Sequence, residues 1–275
     1  MDLNTVETVA RPRARAELPD WRPGDAWLAG GTWLFSEPQP GLRRVIDLSG
    51  LDWPPHAVGE GGLSLAASCT IARLNRLELP TNWTAAPLVG QCCRALLGSF
   101  KIWNAATVGG NVCMALPAGP MIALAAALDG TATIWTPDGG ERALAVVDLV
   151  LGPRETALRA GEVLRGIELP AAALKRRAAF RRVSLSPHGR SGALLIGTLD
   201  ADGRFALTVT ASTRRPVRLD LPRCPDAGGL REAIAAGVGA DLWYDDVHGA
   251  PDWREHVTHL LAEEIRAELR GDAGG

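Results

Sequence analysis

The chain has 275 residues, 47% of them hydrophobic and 22% charged, with a formal net charge of -2. That length holds one large domain or two or three modest ones with a sizeable core, and the near-neutral balance argues against a nucleic-acid binder or a membrane-surface binder. No apolar run reaches membrane-spanning length and no N-terminal stretch has the form of a secretion signal, so a cytoplasmic location is expected.

Residues 1–25 are polar and arginine-rich, with Pro12, Pro19 and Pro23, and show no helical stripe. Ala26-Trp27-Leu28-Ala29 reads as a short buried strand running into Gly30-Gly31, and a second strand, Val45-Ile46-Asp47-Leu48, follows a turn rich in proline and glycine. From residue 51 a new unit starts. Leu63 to Ala67 alternates as a strand, Ser68 or Thr70 caps a short helix through Leu77, and a stronger helix covers Ala86 to Leu97. After a second doublet, Gly109-Gly110, an alanine- and leucine-rich helix is expected over Pro117 to Leu128. A hairpin follows across Pro137-Asp138-Gly139-Gly140, where glycine supplies the positive φ that such turns need, and then a strand from Val163 to Leu169.

A boundary is expected at about residue 173. Beyond it, Ala178 to Leu185, Gly192 to Leu199 and Phe205 to Ala211 read as three antiparallel strands, followed by helices over Gly229 to Ala236 and Trp253 to Leu269. On the last helix Val257, Leu260, Leu261, Ile265 and Leu269 are expected to face the core, with Glu263, Arg266 and Arg270 facing away. The expected organisation is an α+β chain with one module over 1–172, in parts of about 1–50 and 51–172, and a small α+β domain over 173–275.

The chemistry narrows to the two doublets. Five cysteines, Cys69, Cys92, Cys93, Cys113 and Cys224, lack a C-x-x-C pair and read as buried free thiols rather than a disulfide framework, a zinc site or a cluster site. His256 and His259 lie three apart without a third ligand, so no metal site is assigned. The P-loop, G-x-S-x-G and H-E-x-x-H patterns are absent, and Gly237-Val238-Gly239 follows a helix rather than a strand. Ala29-Gly30-Gly31-Thr32 and Thr107-Val108-Gly109-Gly110-Asn111 remain. Consecutive N–H groups in a glycine turn form an anion-binding nest, and threonine and asparagine add donors, so a dinucleotide pyrophosphate is the natural guest.

Three segments carry a resemblance: Ala29-Gly30-Gly31-Thr32-Trp33-Leu34, Val45-Ile46-Asp47-Leu48-Ser49, and Ala106-Thr107-Val108-Gly109-Gly110-Asn111-Val112-Cys113 with Pro117 downstream. Together they resemble the FAD-binding medium subunit of the molybdenum hydroxylases, the xanthine dehydrogenase and carbon monoxide dehydrogenase family. Gly161-Glu162-Val163-Leu164, Phe180-Arg181-Arg182 and Asp245-Asp246-Val247-His248-Gly249 with Trp253-Arg254 extend the resemblance along nearly the whole chain.

The resemblance implies a two-part FAD-binding module of the vanillyl-alcohol-oxidase (PCMH) type followed by a smaller domain with a three-stranded sheet. It implies a cofactor site with Ala29, Gly30, Gly31, Thr32 and the adjoining Trp33 on one wall. Ala106, Thr107, Gly109, Gly110 and Asn111 form the other, with Leu164 near the flavin ring and Arg181 as a nearby cation. No catalytic residue is assigned. The implied role is an electron-transfer oxidoreductase subunit in a hetero-oligomer. A small subunit with [2Fe–2S] clusters would feed FAD, a large molybdenum-cofactor subunit would oxidise the substrate, and NAD or oxygen would accept the electrons. Trp33 and Pro120 depart from the family pattern, which commonly has a small or acidic polar residue and an aspartate there. They support an alternative, a cofactor-free scaffold of the same complex; a stand-alone flavoenzyme is a third reading.

Overall fold

In the computed structural model, which describes residues 3–271, the N-terminal segment forms a parallel sheet of β1 (Thr8–Ala10), β2 (Asp25–Leu28) and β3 (Arg44–Asp47), in the order β1-β3-β2. Parallel neighbours need a crossover, and the crossover from β2 to β3 is the stretch that begins with the first glycine doublet. Asp25 and Arg44 are register partners and also a two-point ion pair at 2.9 and 2.5 Å, which pins the start of β2. β1 lies in the polar segment for which no element was expected. Three residues, two of them exposed, are too short a pattern to show as alternation.

The chain continues through β4 (His56–Gly59), β5 (Gly62–Ala66), α1 (Ile71–Asn75), α2 (Pro87–Ala95), α3 (Phe100–Ala105), α4 (Val108–Cys113) and α5 (Pro120–Ala127). Then come β6 (Thr131–Trp135), β7 (Glu141–Ala145), α6 (Val146–Leu149), β8 (Val150–Gly152), β9 (Glu155–Thr156) and β10 (Val163–Pro170). β4, β5, β10, β6 and β7 form an antiparallel sheet in that order. Thr70 caps α1, its hydroxyl accepting the Arg73 N–H at 3.3 Å. α5 starts at Pro120 rather than Pro117, because a proline at the first helical position gives up an N–H that has no partner there anyway. All eight of its residues are buried, as its unbroken apolar composition requires.

The last third holds α7 (Ala171–Leu174), β11 (Arg177–Val183), β12 (Ala193–Leu199), β13 (Phe205–Thr210), β14 (Val217–Leu221), α8 (Ala227–Gly237) and α9 (Pro251–Arg270). Its antiparallel sheet has four strands, β11-β12-β13-β14, and not the three expected. β14 buries Val217 and Leu219 between polar neighbours, an alternation obscured by the preceding Arg214-Arg215-Pro216.

Side chains alternate across this sheet. Leu194 and Ile196 join the core around α5, while Ala193, Leu195, Leu207 and Val209 join the core under α8 and α9. The α9 stripe differs from expectation at two positions. Leu260 is 54% exposed, and Arg266 is buried with its guanidinium on Glu263 at 2.8 Å. Arg254 is fully buried, donating to Gly249 O and Gly192 O at 2.8 Å and also to Ala211 O and Asp246. The Asp-Asp segment before α9 is therefore structural through Asp246.

A second charged cluster joins the middle of the chain to its last third. Asp129 accepts from Arg176 at 2.6 Å and Arg218 at 2.5 Å, and Arg176 also reaches Asp200 at 3.0 Å. The tryptophans cluster too. Trp53 meets Trp135 edge to face at 5.3 Å, with Arg165 4.5 Å above Trp53 and Arg15 4.5 Å above Trp135.

Candidate functional site

A cavity of about 400 Å³ lies where the N-terminal parallel sheet meets α3, α4 and β10. It gathers eleven of the residues singled out in the sequence: Ala29, Gly30, Gly31, Thr32 and Trp33 after β2; Ala106, Thr107, Gly109, Gly110 and Asn111 around α4; and Leu164 on β10. Arg181 is not with them. Its guanidinium is held by Glu264 and Glu268 on α9, each at 2.7 Å, so the acid pair one turn apart on that helix fixes it away from the cavity.

The first wall is a turn with amides to spare. Its backbone bonds run from Phe35 N–H to Gly31 O and from Ser36 N–H to Trp33 O, both at 2.9 Å. The N–H groups of Gly31, Thr32 and Trp33 have no acceptor among the described residues. Gly31 has φ +66, a left-handed value that L side chains adopt at a cost. Gly30 answers a different need: a Cβ there would sit 1.8 Å from Ala105 O, so its bareness lets the turn close against the end of α3.

The second wall is built the other way. Gly109 and Gly110 fall in the first turn of α4 and not in an open turn, and their amides are spent inside the protein. Val108 N–H goes to Cys69 O and Gly109 N–H to Ala67 O, both at 2.9 Å; Gly110 N–H goes to Thr107 Oγ1 at 3.0 Å. The nest expected at this doublet is thus absent, since the N-terminal amides of the helix already have acceptors. What this wall presents instead is side chain. Thr107 keeps its hydroxyl proton, and Asn111, whose Oδ1 accepts Met121 N–H at 2.9 Å, keeps its Nδ2. Asn111 also explains how α5 manages with Pro120, since it satisfies the next amide of that helix.

Leu28, Leu34, Leu48, Leu96, Ile102, Leu116, Leu158 and Val163 make the remaining surface mostly apolar. Two charged residues join it, Glu162 and Arg190, and neither was singled out as a site residue in the sequence. Arg190 comes from the loop between β11 and β12, where charge alone gives no signal. Glu162 is 3% exposed and accepts Arg142 at 2.8 and 2.6 Å and the Arg159 N–H at 2.8 Å. The Arg142 hydrogen bonds hold its carboxyl below the ordinary 4.5 against the opposing effect of burial. Its carbonyl accepts Trp27 Nε1–H at 2.9 Å, tying β2 to the residue that precedes β10. The Cys113 thiol, also lining, is pushed up to about 12 by burial and stays protonated.

This donor set fits a dinucleotide. The one lining carboxylate is already neutralised by Arg142, while unpaired amides, hydroxyls, the Asn111 amide and Arg190 remain as donors for an anion beside an apolar surface for a ring system. Elsewhere, the described residues hold no group of three or more metal-ligating side chains, and no helix among them is long and apolar enough to cross a membrane. Cys69, Cys92 and Cys93 are buried free thiols, while Cys113 and Cys224 are half-buried.

The family model for the FAD binding domain in molybdopterin dehydrogenase matches residues 8–172. No curated relative matches the chain in sequence. Among solved structures, quinoline 2-oxidoreductase from Pseudomonas putida 86 superposes with a TM-score of 0.81 at 21% identity, covering 99% of each chain. CO dehydrogenase from Oligotropha carboxidovorans gives 0.81 at 19% identity, over 97% of this chain and 99% of the other. Carbon monoxide dehydrogenase from Hydrogenophaga pseudoflava gives 0.79 at 18% identity, over 94% and 96%. At such identities the likeness speaks for the fold.

Proposed function

The chain belongs to the family of FAD-binding domains of molybdopterin dehydrogenases and binds FAD, and from that premise we propose that it is the electron-transfer subunit of a molybdenum-dependent hydroxylase or dehydrogenase. In this reading it receives electrons from [2Fe–2S] clusters on a small partner subunit. A large subunit carries the molybdenum cofactor, and NAD, oxygen or another external acceptor takes the electrons onward. The module is of the vanillyl-alcohol-oxidase type over residues 1–172, in parts of about 1–50 and 51–172, with 173–275 as a second domain. The match over 8–172 supports that division.

The observation that carries the reading is a cavity rich in donors and without a free acid or base. Glu162 is locked on Arg142, and the Cys113 thiol is held protonated. A site that transformed an organic substrate would need a titrating group in reach; a site that only holds a carrier needs donors and a dry wall. When bound, FAD supplies the redox chemistry, accepting and releasing electrons. The residues of this chain bind and orient it. The unpaired Gly31, Thr32 and Trp33 amides would hold its pyrophosphate, with Thr107 and Asn111 as further donors and the lining leucines, Leu164 among them, keeping water from it. The cofactor-free scaffold is not retained: Trp33 lines the cavity without closing it, and Pro120 is buried as the first residue of α5.

Co-expression with the products of neighbouring genes tests the proposal. The expected complex carries one flavin for each copy of this chain together with iron–sulfur absorption, and its flavin bleaches on addition of the organic substrate. A complex with flavin that the substrate never reduces, or a colourless one that refuses added FAD, contradicts it.

A further inference from the structure

Arg254 does not line the cavity, yet it holds two backbone positions from which the last third of the chain reaches it. The residue is 1% exposed, in the first turn of α9, and its only ion-pair partner among the described residues is Asp246. Its other donors go to carbonyls: Gly249 O close by, and Gly192 O and Ala211 O, 62 and 43 residues away. Burying a guanidinium costs more than packing an apolar side chain in the same space, so what it fixes is informative. Gly192 closes the loop 184–191. Its N–H bonds to Val183 O at 2.9 Å, and the adjoining Ser191 accepts Arg182 Nε–H at 2.6 Å. From this loop Arg190 reaches the cavity, with no ion-pair partner among the described residues. Ala211 leads to the cavity by another route, its N–H bonding at 2.8 Å to the carbonyl of Pro117, the neighbour of the lining residue Leu116. Ala211 is buried with φ +66, a left-handed value that a residue with a Cβ keeps only where its surroundings impose it. Pro117 O holds its N–H and Arg254 its carbonyl.

We propose that Arg254 is a positioning residue of the cofactor site: by fixing the carbonyls of Gly192 and Ala211, one guanidinium sets Arg190 and Leu116 against bound FAD. The inference rests on the FAD reading of the site. It makes α9, which contributes no lining residue, part of what shapes the cavity.

The test uses the full chain freed of flavin, with wild type, Arg254→Lys, Arg190→Gln and the double variant each titrated with FAD. Lysine keeps the charge beside Asp246 but cannot span the three carbonyls. FAD should bind Arg254→Lys about tenfold and Arg190→Gln about fivefold more weakly, near the range for loss of one hydrogen bond to a charged group. The double variant should bind no more weakly than Arg254→Lys alone, because both changes remove the same contact. Trypsin reads the loop without FAD: cleavage after Arg190 should be several times faster in Arg254→Lys than in wild type. If Arg254→Lys does not fold, Asp246→Asn, which loosens only the ion pair of Arg254, takes its place in both measurements, and the same signs are required. Losses that multiply to about fiftyfold in the double variant overturn the proposal, since they mark independent effects. So does unchanged FAD affinity or an unchanged rate of cleavage. If wild type itself takes up no FAD, the FAD reading of the site fails, while the cleavage rates still decide whether Arg254 holds the loop.

Discussion

The two walls of the cavity share the string Gly-Gly and use it for opposite purposes. After β2 the doublet leaves amides unpaired, with Gly31 in a left-handed conformation and Gly30 bare so that the turn can touch Ala105 O. At α4 the doublet gives its amides to Ala67 O and Thr107 Oγ1, and a Cβ at Gly109 would lie 2.4 Å from the Ala67 Cβ. Glycine is thus a donor-exposing residue in one wall and a packing residue in the other. A glycine motif names a place where backbone comes close to something; only the hydrogen-bond census says whether that something is a ligand or the protein itself.

The comparison is broken most severely at Gly30. In Gly30→Ala the new methyl meets a backbone carbonyl that no side-chain motion can relieve, so a loss of about 3 kcal/mol in urea unfolding is expected, with FAD uptake lost as the walls part. Tolerance of this alanine would mean that the walls need not touch.

Next in size is the buried ion pair between Glu162, just before β10, and Arg142 on β7. Glu162→Gln weakens the buried pair with Arg142 and should cost about 2 kcal/mol at pH 7, below the full penalty for a buried pair because Arg142 is part-exposed. The sign with pH follows from the depressed carboxyl. Its stabilisation is complete above about 4.5 and is lost as pH falls through the lower folded value, so wild type and Glu162→Gln should converge in melting temperature in acid and differ by a constant amount from pH 6 to 8. A difference that grew in acid would contradict this.

The smallest effect is expected at Gly31. Gly31→Ala carries the left-handed penalty of about 1 kcal/mol, and the Phe35 ring edge, 2.4 Å from the new Cβ, can swing aside because Phe35 is exposed. Equilibrium unfolding should show that modest loss and a severalfold weaker FAD affinity. Full affinity would mean that the geometry of the turn is not what aims its amides.

Much of this was legible in the residues. The helix over α5, the hairpin across Asp138-Gly139, the strand β10 and the clustering of two distant glycine doublets around Leu164 all follow from apolar pattern, turn chemistry and family resemblance. What escaped did so for identifiable reasons. β1 is too short to alternate, and β14 hides behind a charged turn. Arg181 has the charge expected near a cofactor, but Glu264 and Glu268 lie 83 and more residues downstream, a long-range pairing that local sequence cannot show. The same holds for Gly109, whose amide finds its acceptor at Ala67.

The central claim, that FAD lies between these walls, is tested most directly at Gly110. This residue lines the cavity, and a Cβ there has one close neighbour, the Thr107 hydroxyl at 2.9 Å. Equilibrium titration of flavin-free Gly110→Leu and wild type with FAD, with melting temperatures taken on both, is the measurement. One FAD per wild-type chain, none on the variant, and closely similar flavin-free melting temperatures are the predicted result. A Gly110→Leu chain that stays folded and binds FAD as wild type does would contradict the account.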